Sequence, residues 1–287
     1  MLVTGGAGYI GSIAVERLLD RGHAAVVIDN LWRGHAAAID PRALFEQADL
    51  RNRPAIEAAL RRHRPDAVMH FAGATLVPES VREPGLYFEV NVGGSLNLLE
   101  AMRAAAIDRI VFSSTAAVYG APESLPIRED APTRPVNPYG QSKFAVEQML
   151  AAYETAYGFR YAAFRYFNVA GASERLGEDH EPETHLIPSA LLAARGDRPV
   201  FDLFGTDYPT PDGTAIRDYV HVLDLADAHI AALERLDQSL GPINLGTTHG
   251  FSVRQVVDAV AEVTSRPVPV RLQPRRPGDP PALLADS

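Results

Sequence analysis

The segment Thr4-Gly5-Gly6-Ala7-Gly8-Tyr9-Ile10-Gly11 constrains this chain more than any other. It follows Leu2-Val3, which reads as a strand, and opens the run Ile10 to Leu19, whose apolar residues have helical spacing. Gly5, Gly8 and Gly11 permit a tight strand-to-helix turn and a close approach to the backbone, and the first-turn N–H groups can meet a phosphate. In this context the spacing is a dinucleotide fingerprint; taken alone, it is also what an ordinary glycine turn looks like. Asp29 ends a second strand, read over Ala24 to Ile28, near the ~20-residue offset expected of an acid on the adenosine ribose. Its carboxylate would accept from the 2′-hydroxyl and repel a 2′-phosphate, favouring NAD over NADP. Arg33 is a mild counter-signal, and Asp29-Asn30 would equally start a turn.

Short β-branched runs then alternate with helical stretches. Ala67 to Phe71, Arg109 to Ser113 and Tyr161 to Tyr166 read as buried strands. Leu86 to Ala106 reads as one long helix and Pro138 to Tyr157 as another. This alternation predicts an α/β fold, a doubly wound parallel sheet of the Rossmann type with its ligand at the carboxyl ends of the strands. After about residue 170 the texture becomes loop-rich, with helices expected over Asp224 to Leu236 and Val253 to Thr264. We therefore expect residues 1–170 to bind the dinucleotide and residues 171–287 to form a smaller substrate lobe. Both ends read as trimmed, the last segment Leu284-Ala285-Asp286-Ser287 having no closing helix.

Composition narrows the function. A net charge of -9 argues against a nucleic-acid partner, which leaves a basic footprint. The chain has no cysteine, which removes disulfides and thiolate metal sites. No signal peptide opens it and no run of about 18 apolar residues could cross a bilayer, so a cytoplasmic protein without a membrane partner is expected. His180 and His185 lack a third ligand or a recognisable motif beside Glu181 and Glu183, and no metal site is expected.

The chemistry is read from Tyr139-Gly140-Gln141-Ser142-Lys143. Residues four apart share one helix face, so Lys143 is expected beside the Tyr139 phenol, lowering its pKa. A phenol tuned that way can exchange protons with a carbinol while a nicotinamide takes the hydride. The strand end Phe112-Ser113-Ser114-Thr115 adds a hydroxyl, although turn chemistry explains it as well. Asp49 would cap a turn or touch adenine, and Asn91 would anchor a loop or face solvent. Arg217, Arg275 and Arg276 carry guanidinium forks that suit pyrophosphate, and paired surface arginines are also commonly just solvated.

These motifs, in this order, resemble the extended short-chain dehydrogenase/reductase superfamily and, most closely, its UDP-glucose 4-epimerase family. The likeness runs from Leu2 to Ser287. It is carried by the glycine segment, Asp29-Asn30-Leu31, His70-Phe71-Ala72-Gly73, Asn91-Val92-Gly93-Gly94, Ser113 to Gly120, Pro138 to Lys143 and Arg165-Tyr166-Phe167-Asn168. The second part matches in Phe204 to Thr210, Arg217 to Val222 and Arg275-Arg276-Pro277-Gly278-Asp279. The resemblance implies an NAD-dependent epimerase of UDP-galactose and UDP-glucose that works through a transient 4-keto sugar. Tyr139 would be its acid/base, with Lys143 on the nicotinamide ribose and Thr115 assisting. NAD would lie against Gly5, Gly8, Tyr9, Ile10, Gly11, Asp29, Asn30, Asp49, Leu50, Phe71, Ala72, Asn91, Ser113 and Tyr166. The UDP-sugar would be held by Asn168, His185, Leu186, Phe204, Arg217, Tyr219, Arg276 and Asp279. A homodimer is implied too, and the family's chain continues past Ser287. Related dehydratases carry an Asp-Glu pair where this chain has Ala116-Ala117, so water elimination would lack its acid and base. Leu283 stands where a bulky residue can limit the sugar pocket, which implies room for an N-acetyl group.

Overall fold

A computed structural model describes residues 1–276 and 279–287. Seven strands form the main sheet, in the order β10-β6-β5-β4-β1-β2-β3. They are β1 (Leu2–Thr4), β2 (Val26–Asp29), β3 (Leu44–Gln47), β4 (Val68–His70), β5 (Arg109–Thr115), β6 (Arg160–Tyr166) and β10 (Gly241–Leu245). All neighbouring pairs are parallel. Read from its β3 edge, this is the doubly wound order whose switch point lies between β1 and β4.

Period-two alternation explains why both faces of this sheet are covered. Val3, Val27 and Val111 point into one apolar core, shared with Ile13 and Leu18 of α1 (Tyr9–Asp20) and Leu225 and Ile230 of α8 (Val222–Glu234). Leu2, Val26, Ile28, Ile110 and Phe112 point into the other. There they meet Ile56 and Leu60 of α2 (Arg53–His63), Leu98 and Met102 of α5 (Gly94–Ala104), and Val146 and Leu150 of α6 (Pro138–Tyr157). Each such fully buried side chain contributes about 1.5–3 kcal/mol relative to exposure.

The stretch expected as one helix over Leu86 to Ala106 is three pieces. After α3 (Val77–Arg82), α4 covers Pro84–Tyr87, a π turn covers Phe88–Gly93, and α5 follows. Asn91 lies in that π turn, its carbonyl bonded by Ser95 Oγ at 2.5 Å. Wide turns of this kind often mark functional positions.

The expected division at residue 170 needs correction. The chain leaves the sheet into β7 (Asn168–Ala170), α7 (Leu186–Arg195), β8 (Phe201–Phe204) and β9 (Ile216–His221). It then returns, because α8 packs on α1 and β10 pairs with β6. Only β11 (Gly250–Ser252), α9 (Val253–Thr264), β12 (Val270–Gln273) and β13 (Ala282–Leu283) rejoin the outer part. There β9 pairs with β7, β11 and β13, and β12 pairs with β8. Among the described residues, no helix is long and apolar enough to cross a membrane.

Candidate active site at the carboxyl ends of the strands

The glycine turn is built for a backbone ligand. Gly5 has φ +72°, and a Cβ there would press on the Phe71–Ala72 backbone. A Cβ on Gly11 would collide with the Gly5 carbonyl, so only glycine closes this turn. Tyr9 and Ile10 open α1 directly behind it, and the helix has no side-chain cap, leaving its first N–H groups for an anion. Phe71 N and Ala72 N both donate to Thr4 O, at 3.0 and 3.1 Å, which holds the loop after β4 against the glycine turn.

Asp29 is buried at the end of β2. It accepts from Ala7 N at 3.0 Å and Leu31 N at 2.8 Å, so it shapes the turn and touches the glycine loop at once. Each carboxylate oxygen still has a lone pair for a hydroxyl. Asn30 Nδ2 donates to Asp49 at 2.8 Å, and Arg51 holds the Asp49 carboxyl well below its ordinary range. Beside them opens a cavity of about 340 Å³ lined by Asn30, Trp32, Arg51 and Leu86. Leu50 sits over Gly94, whose added Cβ would be 3.1 Å from its side chain.

Helix α6 aims the catalytic candidates. Asn137 caps it by accepting from Gly140 N at 2.8 Å, and Pro138 supplies the fixed first turn. Thr115, at the end of β5, places its hydroxyl near enough to the Tyr139 phenol to lower its pKa. Burial pushes that phenol's pKa up and the Thr115 hydroxyl pulls it partly back. The expected lysine effect is absent from this balance. Lys143 is itself buried; burial alone depresses it to about 8, and its Nζ donates to Ser113 O at 2.9 Å. The i, i+4 geometry places Lys143 under the tyrosine, but its charge is spent on a strand carbonyl.

Asn91 is a buried anchor, not a solvent-facing side chain. It accepts from Ala74 N at 2.7 Å and donates to Ala74 O at 3.0 Å and Ser142 Oγ at 2.9 Å. Ser142 Oγ in turn donates to Tyr139 O at 2.8 Å, which links the π turn, the β4 loop and α6. Two buried histidines carry no local signal of their role in the sequence, although His70 lies in one of the motifs of the resemblance. His70 is depressed to about 3 by burial and bridges Thr4 Oγ1 and Ser95 Oγ at 2.7 and 2.8 Å. His229 donates from Nδ1 to Leu225 O at 2.8 Å, so its other nitrogen accepts from the Tyr166 hydroxyl. Tyr166 lies close enough to Tyr139 for their charges to interact.

The outer sheet gathers most of the substrate candidates. Asn168 of β7 is in register with Tyr219 of β9, and Arg217 of β9 is ion-paired with Asp279. The Tyr219 hydroxyl is buried without a partner among the described residues, and burial raises it to about 12. Arg276 stacks over Phe204 with its guanidinium carbon 4.1 Å from the ring centre. Arg275 is tied to Asp207 and lies over Tyr208. Pro277 and Gly278 of the Arg275–Asp279 motif lie outside the described residues. His185 stands at the N-cap of α7 just ahead of Leu186, with its ring turned to Glu178 and Glu183. The expectation that the two histidines lack further ligands therefore fails: Glu178 and Glu183 complete a four-residue group with His180 and His185.

Comparison with known proteins agrees with this geometry. The NAD dependent epimerase/dehydratase family matches residues 1–246. The UDP-glucose 4-epimerase of Azospirillum brasilense is 53% identical over 289 residues, covering 99% of this chain and 83% of its own. The crystal structure of the Brucella ovis UDP-glucose 4-epimerase in complex with NAD superposes with a TM-score of 0.97 at 47% identity, over 99% of this chain and 89% of that one. The Bifidobacterium longum UDP-glucose 4-epimerase in complex with NAD+ and UDP gives 0.95 at 38% identity, over 100% and 89%. The chain thus belongs to the NAD dependent epimerase/dehydratase family and, within it, to the UDP-glucose 4-epimerases.

Proposed function

We propose that this chain interconverts UDP-galactose and UDP-glucose at C4, with Tyr139 as the acid/base. The observation that carries the reading is the meeting of three features at the sheet's switch point. They are a glycine turn that only glycine can close, a buried acid at the end of β2, and a tyrosine whose phenol lies under the influence of the Thr115 hydroxyl. The residues present fit NAD: the turn offers unspent N–H groups, Asp29 keeps free lone pairs, and an open cavity lies beside Asn30. When bound, NAD supplies a reversible hydride acceptor at the sugar C4.

The chain's own groups do the rest. Tyr139 takes the 4-hydroxyl proton as hydride leaves and returns it when hydride comes back to the other face. Thr115 steadies the phenolate by donating to it; its oxygen already accepts from Ala117 N at 3.1 Å, so its proton is free to be given. Lys143, fixed by Ser113 O, presents its remaining protons to the nicotinamide ribose. Gly5, Gly8, Tyr9, Ile10, Gly11, Asp29, Asn30, Asp49, Leu50, Phe71, Ala72, Asn91, Ser113 and Tyr166 form the dinucleotide cleft. Asn168, His185, Leu186, Phe204, Arg217, Tyr219, Arg276 and Asp279 hold the UDP-sugar, and Arg217 and Arg276 face the pyrophosphate. Ala116 and Ala117 offer no proton for elimination. A homodimeric, cytoplasmic enzyme is the assembly and location this reading carries.

The test is conversion of UDP-galactose by the purified chain with no NAD added, the cofactor released on denaturation being measured in parallel. Conversion with NAD already bound is expected; bound NAD without conversion would sink the assignment of the reaction and leave only the fold.

Leu283 extends the reading to substrate range. It sits half-buried on β13, in register with Arg217 and packed against the cluster of Ala116 and Phe167. Leucine there leaves room for an N-acetyl group. Leu283→Tyr is expected to lower turnover of UDP-N-acetylglucosamine about tenfold relative to UDP-galactose, since overpacking costs about 1–3 kcal/mol. An unchanged ratio of the two rates would refute it.

A further inference from the structure

The strap between β7 and α7 carries a second constellation, remote in kind from hydride chemistry. Glu178, His180, Glu183 and His185 each aim one ligand atom inward, and all four atoms lie within 4.8 Å of one another. His180 Nδ1 is 3.4 Å from Glu178 Oε1 and 3.8 Å from Glu183 Oε2. His185 Nδ1 is 3.0 Å from Glu178 Oε1 and 2.9 Å from Glu183 Oε1. A tetrahedral ion with nitrogen and oxygen ligands at about 2.0–2.2 Å needs donor separations of about 3.4 Å; the nitrogen–oxygen distances here run from 2.9 to 3.8 Å, with Glu183 offering a different oxygen to each histidine.

Two details set this apart from ordinary histidine–carboxylate pairing. Both histidines turn the same nitrogen toward the same two carboxylates, where separate ion pairs would take one each. His180 Nδ1 is also sealed from solvent with no aligned hydrogen bond among the described residues, although a carboxylate stands 3.4 Å away.

We propose that these four residues form a structural site for a zinc-class divalent ion. Two imidazoles and two carboxylates match zinc in donor type and geometry, whereas magnesium and calcium favour all-oxygen shells. All four positions come from the chain, so the site has no opening for substrate and acts as a staple. It closes the strap over the glycine turn. The Tyr9 ring packs edge-on against His180 at 6.4 Å, and Tyr9 Oη donates to Gly171 O at 2.6 Å. Its other end is the N-cap of α7, directly before Leu186. The inference requires neither NAD nor turnover; His185 would serve the ion through Nδ1 and keep Nε2 for the UDP-sugar.

The experiment uses the untagged, chelator-treated full chain, titrated with Zn²⁺ in competition with a chromophoric chelator. One equivalent is expected to bind, and His180→Ala and Glu178→Gln are each expected to weaken it at least tenfold. Co²⁺ loaded into wild type should give the intense visible absorption of a four-coordinate ion. Circular dichroism and bound NAD check that the variants fold; if they do not, the wild-type Co²⁺ spectrum decides. Absence of stoichiometric Zn²⁺ binding, a weak six-coordinate Co²⁺ spectrum, or unchanged affinity in both folded variants would overturn the proposal.

Discussion

Replacing Tyr139 by Phe lowers kcat about 10²–10⁴-fold, the usual scale for a positioned acid/base, while the chain keeps its NAD. The substitution removes one oxygen from a ring that packs edge-on against Tyr87 at 6.4 Å, and phenylalanine preserves that packing. The lost group is the hydroxyl whose pKa Thr115 lowers. Nothing in the glycine turn or at Asp29 depends on it, so NAD released per chain should match wild type. The two readouts separate chemistry from binding. A variant that turns over within about fivefold of wild type would remove Tyr139 from the mechanism; one that loses both turnover and NAD would make it a structural residue. The surroundings of the phenol give the result further content. Burial holds it protonated in the free chain, and Lys143 is engaged with Ser113 O. The drive toward phenolate must then come from Thr115 and from what occupies the cleft. Thr115→Val, which keeps the shape and removes the donor, should therefore reduce kcat as well, by less than Tyr139→Phe.

Much of this arrangement is legible in the sequence because local signals there agree with tertiary ones. α6 runs from Pro138 to Tyr157, the limits expected, since Asn137 caps it, Pro138 fits its first turn and Gly158 ends it at φ +71°. α9 likewise begins at Val253 behind a Ser252–Gln255 capping box. The strands β4, β5 and β6 were visible as apolar runs because both faces of a parallel sheet are buried. β3 and β10 were not, for opposite reasons. Leu44 and Phe45 lie on an exposed edge, and Gly241-Pro242-Ile243-Asn244-Leu245 has too little β-branched character to stand out. With β10 carrying no local signal, the division expected at residue 170 takes no account of a later strand that pairs with β6. The break near Asn91 was hidden as well, because one wide turn over Phe88–Gly93 joins α4 directly to α5 with no non-helical residue between them. At the site, backbone-driven features such as Gly5, Gly11 and Asp29 were readable from spacing. Side-chain direction was not: Lys143 stands where the helix period puts it and bonds elsewhere, and the ring orientations of His180 and His185 are set by a strap with no period at all.

The second large effect lies beneath the site. Glu147→Ala should destabilise the fold by about 3–5 kcal/mol, the usual cost of stripping one partner from a buried ion pair. Glu147 and Arg165 are both almost fully buried, with side chains 4% and 5% exposed. Arg165 donates to the carboxylate from Nε at 3.1 Å and from Nη2 at 2.7 Å, and Ser114 Oγ donates to it as well. Through Nη1, Arg165 reaches the Tyr119 hydroxyl at 2.9 Å and Glu129 O at 3.0 Å, and Tyr119 donates to Asn244 Oδ1 at 2.7 Å. The network thereby joins α6, which carries Glu147, to β5, β6 and the returning strand β10. Removing the carboxylate strands a guanidinium that cannot neutralise itself, since arginine stays charged in proteins. The melting temperature should fall by on the order of 10 °C, at about 2–4 °C per kcal/mol for large domains. A Glu147→Leu, Arg165→Met double variant should recover much of the loss, because replacing both charges with apolar groups of similar size is often neutral. If the alanine variant melts within about a degree of wild type, the pair is not the clasp that its burial indicates. If the double variant melts lower than the single one, the remaining bonds from Arg165 to Tyr119 and Glu129, and not the ion pair, are what hold β10 to the sheet.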